Sequence, residues 1–563
     1  MKIKRFNLLI SCLLLASFLF TIPLFGHQAT GKSGMIVTAH PVASELGVEI
    51  LKAGGNAIDA AVGAALVLGV VEPYGSGLGG GGAMLIYLRE PDSLTFINYY
   101  QSAPENVPVD FHSSKETSSA RAVLVPGTAA GLHHALNRYG SISWETILNK
   151  VIQKVEHGFE IDENFHKTIL DSYEKIFLNS KTRSLYLIND FPPEIGNRIK
   201  NDQLIHTLKK LADEGVDVFY HGEIADSIQA SMIKYGGNLR KSDLEAYQVH
   251  ETNPLKGKYR QFEIFSAPPP QSGMTIIEAL NILEFKNLKR MGDYTLNSKT
   301  FHFMAEALRR VYADRAKYLG DPKFEDVPVE RVISKELARS RFKTINEYKT
   351  RPFGPGDNKI DVDSLLRRNY KRNLKTPDGS TSHISVVDVR GNAVSLTQTL
   401  NHFWGSGISV CGFLLNNGMT SFSSDADETP NMALPGKQPR TTIAPTMLFE
   451  NGNLVMVVGT PGAGRIISTM VQVICNVVDF GMKVEAANLA PRFHSRRWNE
   501  KMPVEGRFSK ELLARLETMG HSFQVMGEID LFFGGVQLIL VDQEKHELIG
   551  SSDPRRSGAA SGY

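Results

Sequence analysis

The stretch DGSTSHISVVDVRGNAVSLTQTLN, residues 378–401, decides how the chain is organised. The runs His383 to Asp388 and Ala393 to Thr399 mix β-branched and polar residues, and VRGN between them supplies the Gly and Asn of a tight turn, so the segment is predicted to be a β-hairpin. Thr381 then stands at the start of a strand, just after a Gly-Ser loop. A Thr in that place needs no special explanation, since Thr favours strands and Gly-Ser favours loops. A chemical reading must draw on more of the chain.

Working backward, the segment 351–380 is polar, charged and contains Gly and Pro, which predicts an exposed connector, with the basic cluster Arg367 to Arg372 a solvated face of it. Before it, most of residues 140 to 345 has helical texture, clearest in SGMTIIEALNILEF and TFHFMAEALRRVYADRAKYLGDP. Nearer the N-terminus, HPVASELGVEILKAGG ends at a Gly pair in the manner of a helix cap, and NAIDAAVGAALVLGVVEP is apolar almost all round, which predicts a buried helix. AMLIYL and LTFIN are predicted as a strand pair. Working forward, strands are expected at GFLLNN, TMLFENGNLVMVVG and GVQLILVD, and helices at RIISTMVQVICNVVDF and SKELLARLETMG. On this pattern the chain is two α/β segments joined by a loop, with Thr381 at the junction.

The 563 residues, 42% hydrophobic and 22% charged, have the composition of a globular protein large enough to bury an active site. Lys2, Lys4 and Arg5 precede an apolar run from Leu8 to Phe25 and a small or polar exit near Gly26 and Ala29, the pattern of a secretory signal over residues 1–29; the alternative is a retained membrane anchor. Cys12 lies inside the run rather than at its end, which argues against lipidation. Loss of the three cations takes the formal charge from +2 to −1, and nothing points to nucleic acid. The expected location is secreted or periplasmic. Cys411 and Cys475 sit in apolar surroundings, as buried free thiols or one disulfide. No Cys or His cluster has metal-ligand spacing, so no metal is expected. GSGLGG at Gly75 to Gly80 matches a dinucleotide fingerprint, but a helix enters it and a strand leaves, the reverse of the order that brings a pyrophosphate to a helix N-terminus. The glycines are expected to allow a tight turn, and no cofactor is expected.

A Thr hydroxyl is a poor nucleophile unless a base accepts its proton, and one solution is the residue's own α-amine, whose pKa of about 7.7 to 8.0 suits a general base. Thr381 would gain that amine by cleavage between Ser380 and Thr381. His383 faces the same side of the strand but roughly 6.5 Å farther along, too far for a direct bond, which favours a structural role.

TSHISVVDVRGNAVSLTQTLN, GTPGAGRII, APRFH and the ending SSDPRRSGAASGY, with GGNAIDAAVGAAL, LGGGGAMLIYL, VPGTAAGL, APPPQSG and MAEALRRVYADRAKYLGDP, together resemble the gamma-glutamyltransferases, also called glutathione hydrolases. The resemblance spans nearly all the chain after residue 29. It implies an α+β fold, a four-layer αββα sandwich of the N-terminal-nucleophile hydrolase type. It also implies a proenzyme that cuts itself into a large subunit, 30–380, and a small subunit, 381–563, intertwined in one catalytic domain.

Carried over by motif, Thr381 is the nucleophile, Thr399 hydrogen-bonds its hydroxyl, Asn401 contacts substrate, and the N–H groups of Gly462 and Ala463 form an oxyanion hole, with Ala where the family usually has a second Gly. The implied partners are a small-molecule amide and an amino acid, peptide or water acceptor, with the membrane met only through an uncleaved signal.

The resemblance fails at the glutamyl head group. The family's carboxylate-binding Arg is Tyr100 here, its ammonium-binding Asp is Ser421, and its Ser pair is Thr441 and Thr442. The loop Ser423 to Pro439 is short and has Ala433 in place of a lid Tyr, which implies a more open cleft. Three readings follow: a γ-glutamyl hydrolase or transferase; an acylase for amides without the α-amino acid head; and a secreted protein that keeps the fold without turnover. If γ-glutamyl groups are held well, Asn98, Gln101 or Asp425 are the remaining candidates for the head group.

Overall fold

The computed structural model describes residues 28–108, 110–354, 380–423 and 429–563. The N-terminal apolar run with Cys12, nearly all the connector, and Asp425 lie outside the described residues. Among those described, no helix is long and apolar enough to cross a membrane.

Two seven-stranded antiparallel sheets stack between helices. The first runs in the order Ala559–Gly562, Met35–Thr38, Ser380–Val387, Ala393–Asn401, Gly81–Leu88, Ser93–Tyr99, His250–Thr252. The second runs Gln28–Gly31, Glu547–Ser552, Gln537–Asp542, Asn453–Gly459, Thr446–Glu450, Phe262–Ser266, Leu255–Tyr259. The predicted hairpin is present and central. One expectation is corrected. The chain is not two α/β segments side by side, because strands from before and after the connector are combined in both sheets. Most of 140–345 is helical as expected, and the strands of 250–266 within it complete an edge of each sheet.

The layers follow from period-two faces on the central hairpin. Ile384, Val386, Val394 and Leu396 join the core formed with helix Ala57–Val71, which is buried over nearly its whole length as its composition predicts. That helix starts at a reciprocal cap, in which Asn56 Oδ1 accepts from Asp59 N at 3.0 Å and Asp59 Oδ2 accepts from Asn56 N at 2.8 Å. Asp388, at the hairpin turn, accepts from Ala57 N at 2.9 Å, so turn and helix start are tied together. On the other side, helices Gly273–Leu283 and Ile466–Val478 cover the second sheet with an almost wholly apolar core.

Between the sheets the contact is partly polar. Ser385 Oγ donates to Gln537 O at 2.9 Å and Ser395 Oγ to Val458 O at 3.1 Å, each joining one sheet to the other. His383 lies among them, with Nδ1 2.8 Å from Thr397 Oγ1 and Nε2 3.2 Å from Ser385 Oγ. A neutral ring protonated on Nε2 satisfies both contacts, and burial pushes its pKa down to about 3. Gly459 faces it in the opposite sheet, where a Cβ would stand 2.1 Å from the ring. Cys411 and Cys475 are free; only Cys475 is fully buried, Cys411 being half-buried at the edge of the first core.

Candidate active site

Thr381 sits where the hairpin ladder is irregular. Ser380 pairs with Asn401 and Ser382 with Gln398, so Thr381 faces both Thr399 and Leu400, a bulge of the kind that re-aims side chains next to functional sites. Its side chain points toward the second sheet and is almost fully buried, at 3% exposure.

The hydroxyls of Thr381 and Thr399 are 3.1 Å apart, and both also contact the Ser380 carbonyl oxygen. Asn401 N donates to Thr399 Oγ1 at 2.8 Å, which leaves the Thr399 proton for the Ser380 carbonyl and Thr399 oxygen for the Thr381 proton. The Thr381 oxygen is thereby turned to the carbonyl of the peptide bond preceding it. Gln101 Nε2 holds Thr399 O at 2.8 Å, and Ser380 Oγ donates to Gly75 O at 3.0 Å. The glycines of 75–80 thus form the tight turn expected of them, and a Cβ at Gly80 would lie 2.4 Å from Thr399 O.

His383 is committed to the intersheet network and offers Thr381 no base. Behind the strand, Ser382 Oγ bonds Glu72, which also takes Arg556 Nη1 at 3.1 Å. Burial pushes the Glu72 carboxyl up to about 7. Sequence reading missed Glu72, Ser382 and Arg556, since the three lie far apart in the chain and share no motif.

The strand Asn453–Gly459 passes His383 and leads into the turn 460–465. There Gly462 has φ +132° and Ala463 φ +46°, so Ala463 occupies the left-handed region. Among the described residues neither N–H donates to a protein acceptor, and the helix Ile466–Val478 begins directly after, adding its positive end. The turn can therefore receive an oxyanion.

Asn401, at φ +80°, donates from Nδ2 to Tyr100 OH at 2.7 Å and to Ser421 Oγ at 3.4 Å, while its Oδ1 is buried with no partner among the described residues. Tyr100 is buried, and burial raises its hydroxyl to about 12 even though Thr441, Asn401 and Ser421 lie within hydrogen-bonding reach. Its backbone is fixed by Asn98 Oδ1, accepting from Tyr100 N at 3.0 Å, and Gln438 Nε2, donating to Tyr100 O at 2.9 Å. The structure thus brings Thr381, Thr399, Asn401, Tyr100, Ser421 and Thr441 together. Thr442 is half-buried at the next position, and Asn98 and Gln101 are engaged in supporting these residues.

His302, Glu306 and His521 offer ligand atoms within 4.8 Å of one another, a cluster that sequence spacing did not reveal because His521 comes from a distant segment. Their bonds are already taken. Glu306 pairs with Arg309 and Arg310 at 2.8 Å each, His302 Nδ1 meets His521 Nε2 at 2.7 Å, and His302 Nε2 meets Asn346 O at 2.7 Å. Two guanidiniums on the only carboxylate make the place unfavourable for a cation.

A family profile described as Gamma-glutamyltranspeptidase matches residues 43–563. A glutathione hydrolase proenzyme of Bacillus subtilis (strain 168) is 34% identical over 547 residues, covering 94% of this chain and 92% of that protein. The Acylase ACY 1 proenzyme of Pseudomonas sp. (strain V22) is 32% identical, covering 88% of each. Among solved structures, the cephalosporin acylase from Bacillus halodurans superposes with a TM-score of 0.85 at 28% identity, covering 97% of this chain and 98% of that one.

Proposed function

The chain belongs to the gamma-glutamyltranspeptidase family, and from that premise we propose that Thr381 first cleaves its own precursor and then carries an acyl group during turnover. It is an enzyme of the glutathione hydrolase kind, and its relatives are named proenzymes. The observation that carries the proposal is the Thr381 hydroxyl held against the Ser380 carbonyl, with the Thr399 hydroxyl on the same carbonyl oxygen.

In the cleavage, Thr381 Oγ1 bonds to the Ser380 carbonyl carbon, the bond from that carbon to Thr381 N breaks, and the hydroxyl proton passes to the departing nitrogen. Water then hydrolyses the resulting ester, leaving a Ser380 carboxylate and a free Thr381 amine. In turnover the amine takes the hydroxyl proton while Oγ1 attacks the substrate amide, Gly462 and Ala463 N–H groups receive the oxyanion, and the proton leaves with the released amine. Water or an acceptor amine resolves the acyl-Thr381 ester.

For the acyl group, γ-glutamyl is the first reading, supported by the family and by Asn401 Oδ1, which has no partner among the described residues and is an acceptor suited to an ammonium. An acyl group without the amino acid head is the second, supported by Tyr100 and Ser421 in place of charged contacts and by the acylase relatives. Residues 1–29 are proposed to direct the protein out of the cytosol, on the strength of their charge and apolar pattern.

Purified folded protein should run as two fragments on a denaturing gel, the smaller beginning Thr-Ser-His-Ile, and should hydrolyse a p-nitroanilide. Thr381→Ala should remain one chain and inactive. A wild-type protein that stays intact on long incubation and turns over no anilide would overturn the proposal.

A further inference from the structure

The head-group end of the site has Tyr100 at the position where the resemblance expects an arginine, and two other arginines lie nearby. Arg440 directly precedes Thr441, and Arg315 reaches the same place from helix Ser298–Tyr318. Arg440 Nη1 donates to Ala316 O at 2.9 Å, which docks it beside Arg315. Arg315 Nε donates to Ser272 Oγ at 2.9 Å, and Ser272 Oγ donates to Thr441 O at 2.6 Å, so hydrogen bonds link Arg315 to the residue that adjoins the Tyr100 phenol.

Each guanidinium carries five donors. One neutral acceptor for the side chain of each is far from a full set, and both residues are only half-buried, so the remaining donors are not sealed in protein. Among the described residues neither has a carboxylate within ion-pair distance. The buried arginines elsewhere contrast with this: Arg341 is paired with Asp314, Arg492 with Asp553, and Arg555 with Glu505. Like charges held close together are unfavourable, and a carboxylate between them relieves both. Burial above all, and then Arg440, brings Arg315 down to about 9, while burial above all, and then Arg496, brings Arg440 down to about 10.

We propose that Arg315 and Arg440 form a carboxylate-binding subsite beside Tyr100, which holds a free carboxylate of the amide substrate. The inference rests on Thr381 amide turnover and specifies the substrate class: an amide whose acyl chain ends in a carboxylate, or whose amine portion carries one. No ammonium is needed to fill this subsite.

The test compares kcat/KM for glutaryl p-nitroanilide with that for its neutral methyl ester, and for pentanoyl p-nitroanilide with that for the 3-carboxy-4-nitroanilide. Wild-type protein should prefer the carboxylate member of one pair by about tenfold or more, mainly through KM, the worth of one charge-assisted contact. The pair that shows the preference locates the carboxylate on the acyl or the amine side. Arg440→Gln should lower that preference about tenfold, and Arg440→Lys should restore part of it. Arg315 also supports Ser272, so Arg440 is the cleaner probe. The subsite is overturned if anilides are turned over but neither carboxylate is preferred, or if Arg440→Gln leaves the preference intact. If no anilide is turned over, the parent reading fails. Calorimetric titration with glutarate and dimethyl glutarate then decides the subsite alone: tighter binding of the dianion, lost in Arg440→Gln, supports it, and equal binding overturns it.

Discussion

The two ends of the candidate site differ in kind. Around Thr381 the groups in contact are uncharged: two hydroxyls, a carbonyl, backbone N–H groups and a neutral, fully buried imidazole one turn of the pleat away. Beyond Tyr100 lie two half-buried guanidiniums with neutral partners. Bond making at a peptide carbonyl requires donors fixed in place, which the hairpin, the bulge and the following turn supply from the backbone. Recognition requires complementary charge, which resides in side chains and changes by single substitutions. The family's chemistry and its specificity can therefore part company in one fold.

Breaking the first end should give the largest effect after loss of Thr381 itself. Thr399→Val removes the donor to the Ser380 carbonyl, and self-cleavage, followed as fragment appearance on a gel, should slow about a hundredfold to a thousandfold, as for loss of one oxyanion donor. Cleavage at the wild-type rate would remove Thr399 from the mechanism.

The second end should respond by changing selectivity. Tyr100→Arg with Ser421→Asp installs both charges of the family's grip, and the ratio of kcat/KM for γ-glutamyl over glutaryl anilide should rise about tenfold or more. The two changes should couple in a double-mutant cycle, since they hold opposite charges on one carbon. Additive effects, or no change in the ratio, would mean that other residues hold the head group.

The smallest effect concerns the support behind Thr381. Because the Glu72 carboxyl is raised from 4.5 to about 7 in the fold, its contribution to stability is fully present below about 4.5 and is lost as pH rises through 7. The wild-type minus Glu72→Gln difference in Tm should therefore fall across that interval. A difference independent of pH would show that Glu72 titrates normally and that its bonds to Ser382 and Arg556 act only as packing.

Much of this was legible in one dimension. Thr381 at a strand start, Asn401 near the end of the partner strand, and the Gly462–Ala463 turn before an apolar helix are local patterns, and local patterns reflect backbone preference and the period of buried faces. The resemblance also singled out Tyr100 and Ser421 by their motif positions, and the structure places both side chains against Asn401. Ala463 keeps the backbone N–H that the motif calls for, but its left-handed φ could not be read, since nothing in an Ala announces it.

The sequence by itself determined the central hairpin, the buried helix Ala57–Val71, the family and the place of Thr381 near the start of a central strand. Only the tertiary structure decided that strands from both sides of the connector are combined in both sheets, that Glu72 and Arg556 meet under Ser382, and that Arg315 and Arg440 lie together beside Tyr100. The physical reason is range. Periodicity and capping act over a few residues, whereas these meetings join positions separated by more than a hundred, and depend on sheet order and on how the layers pack.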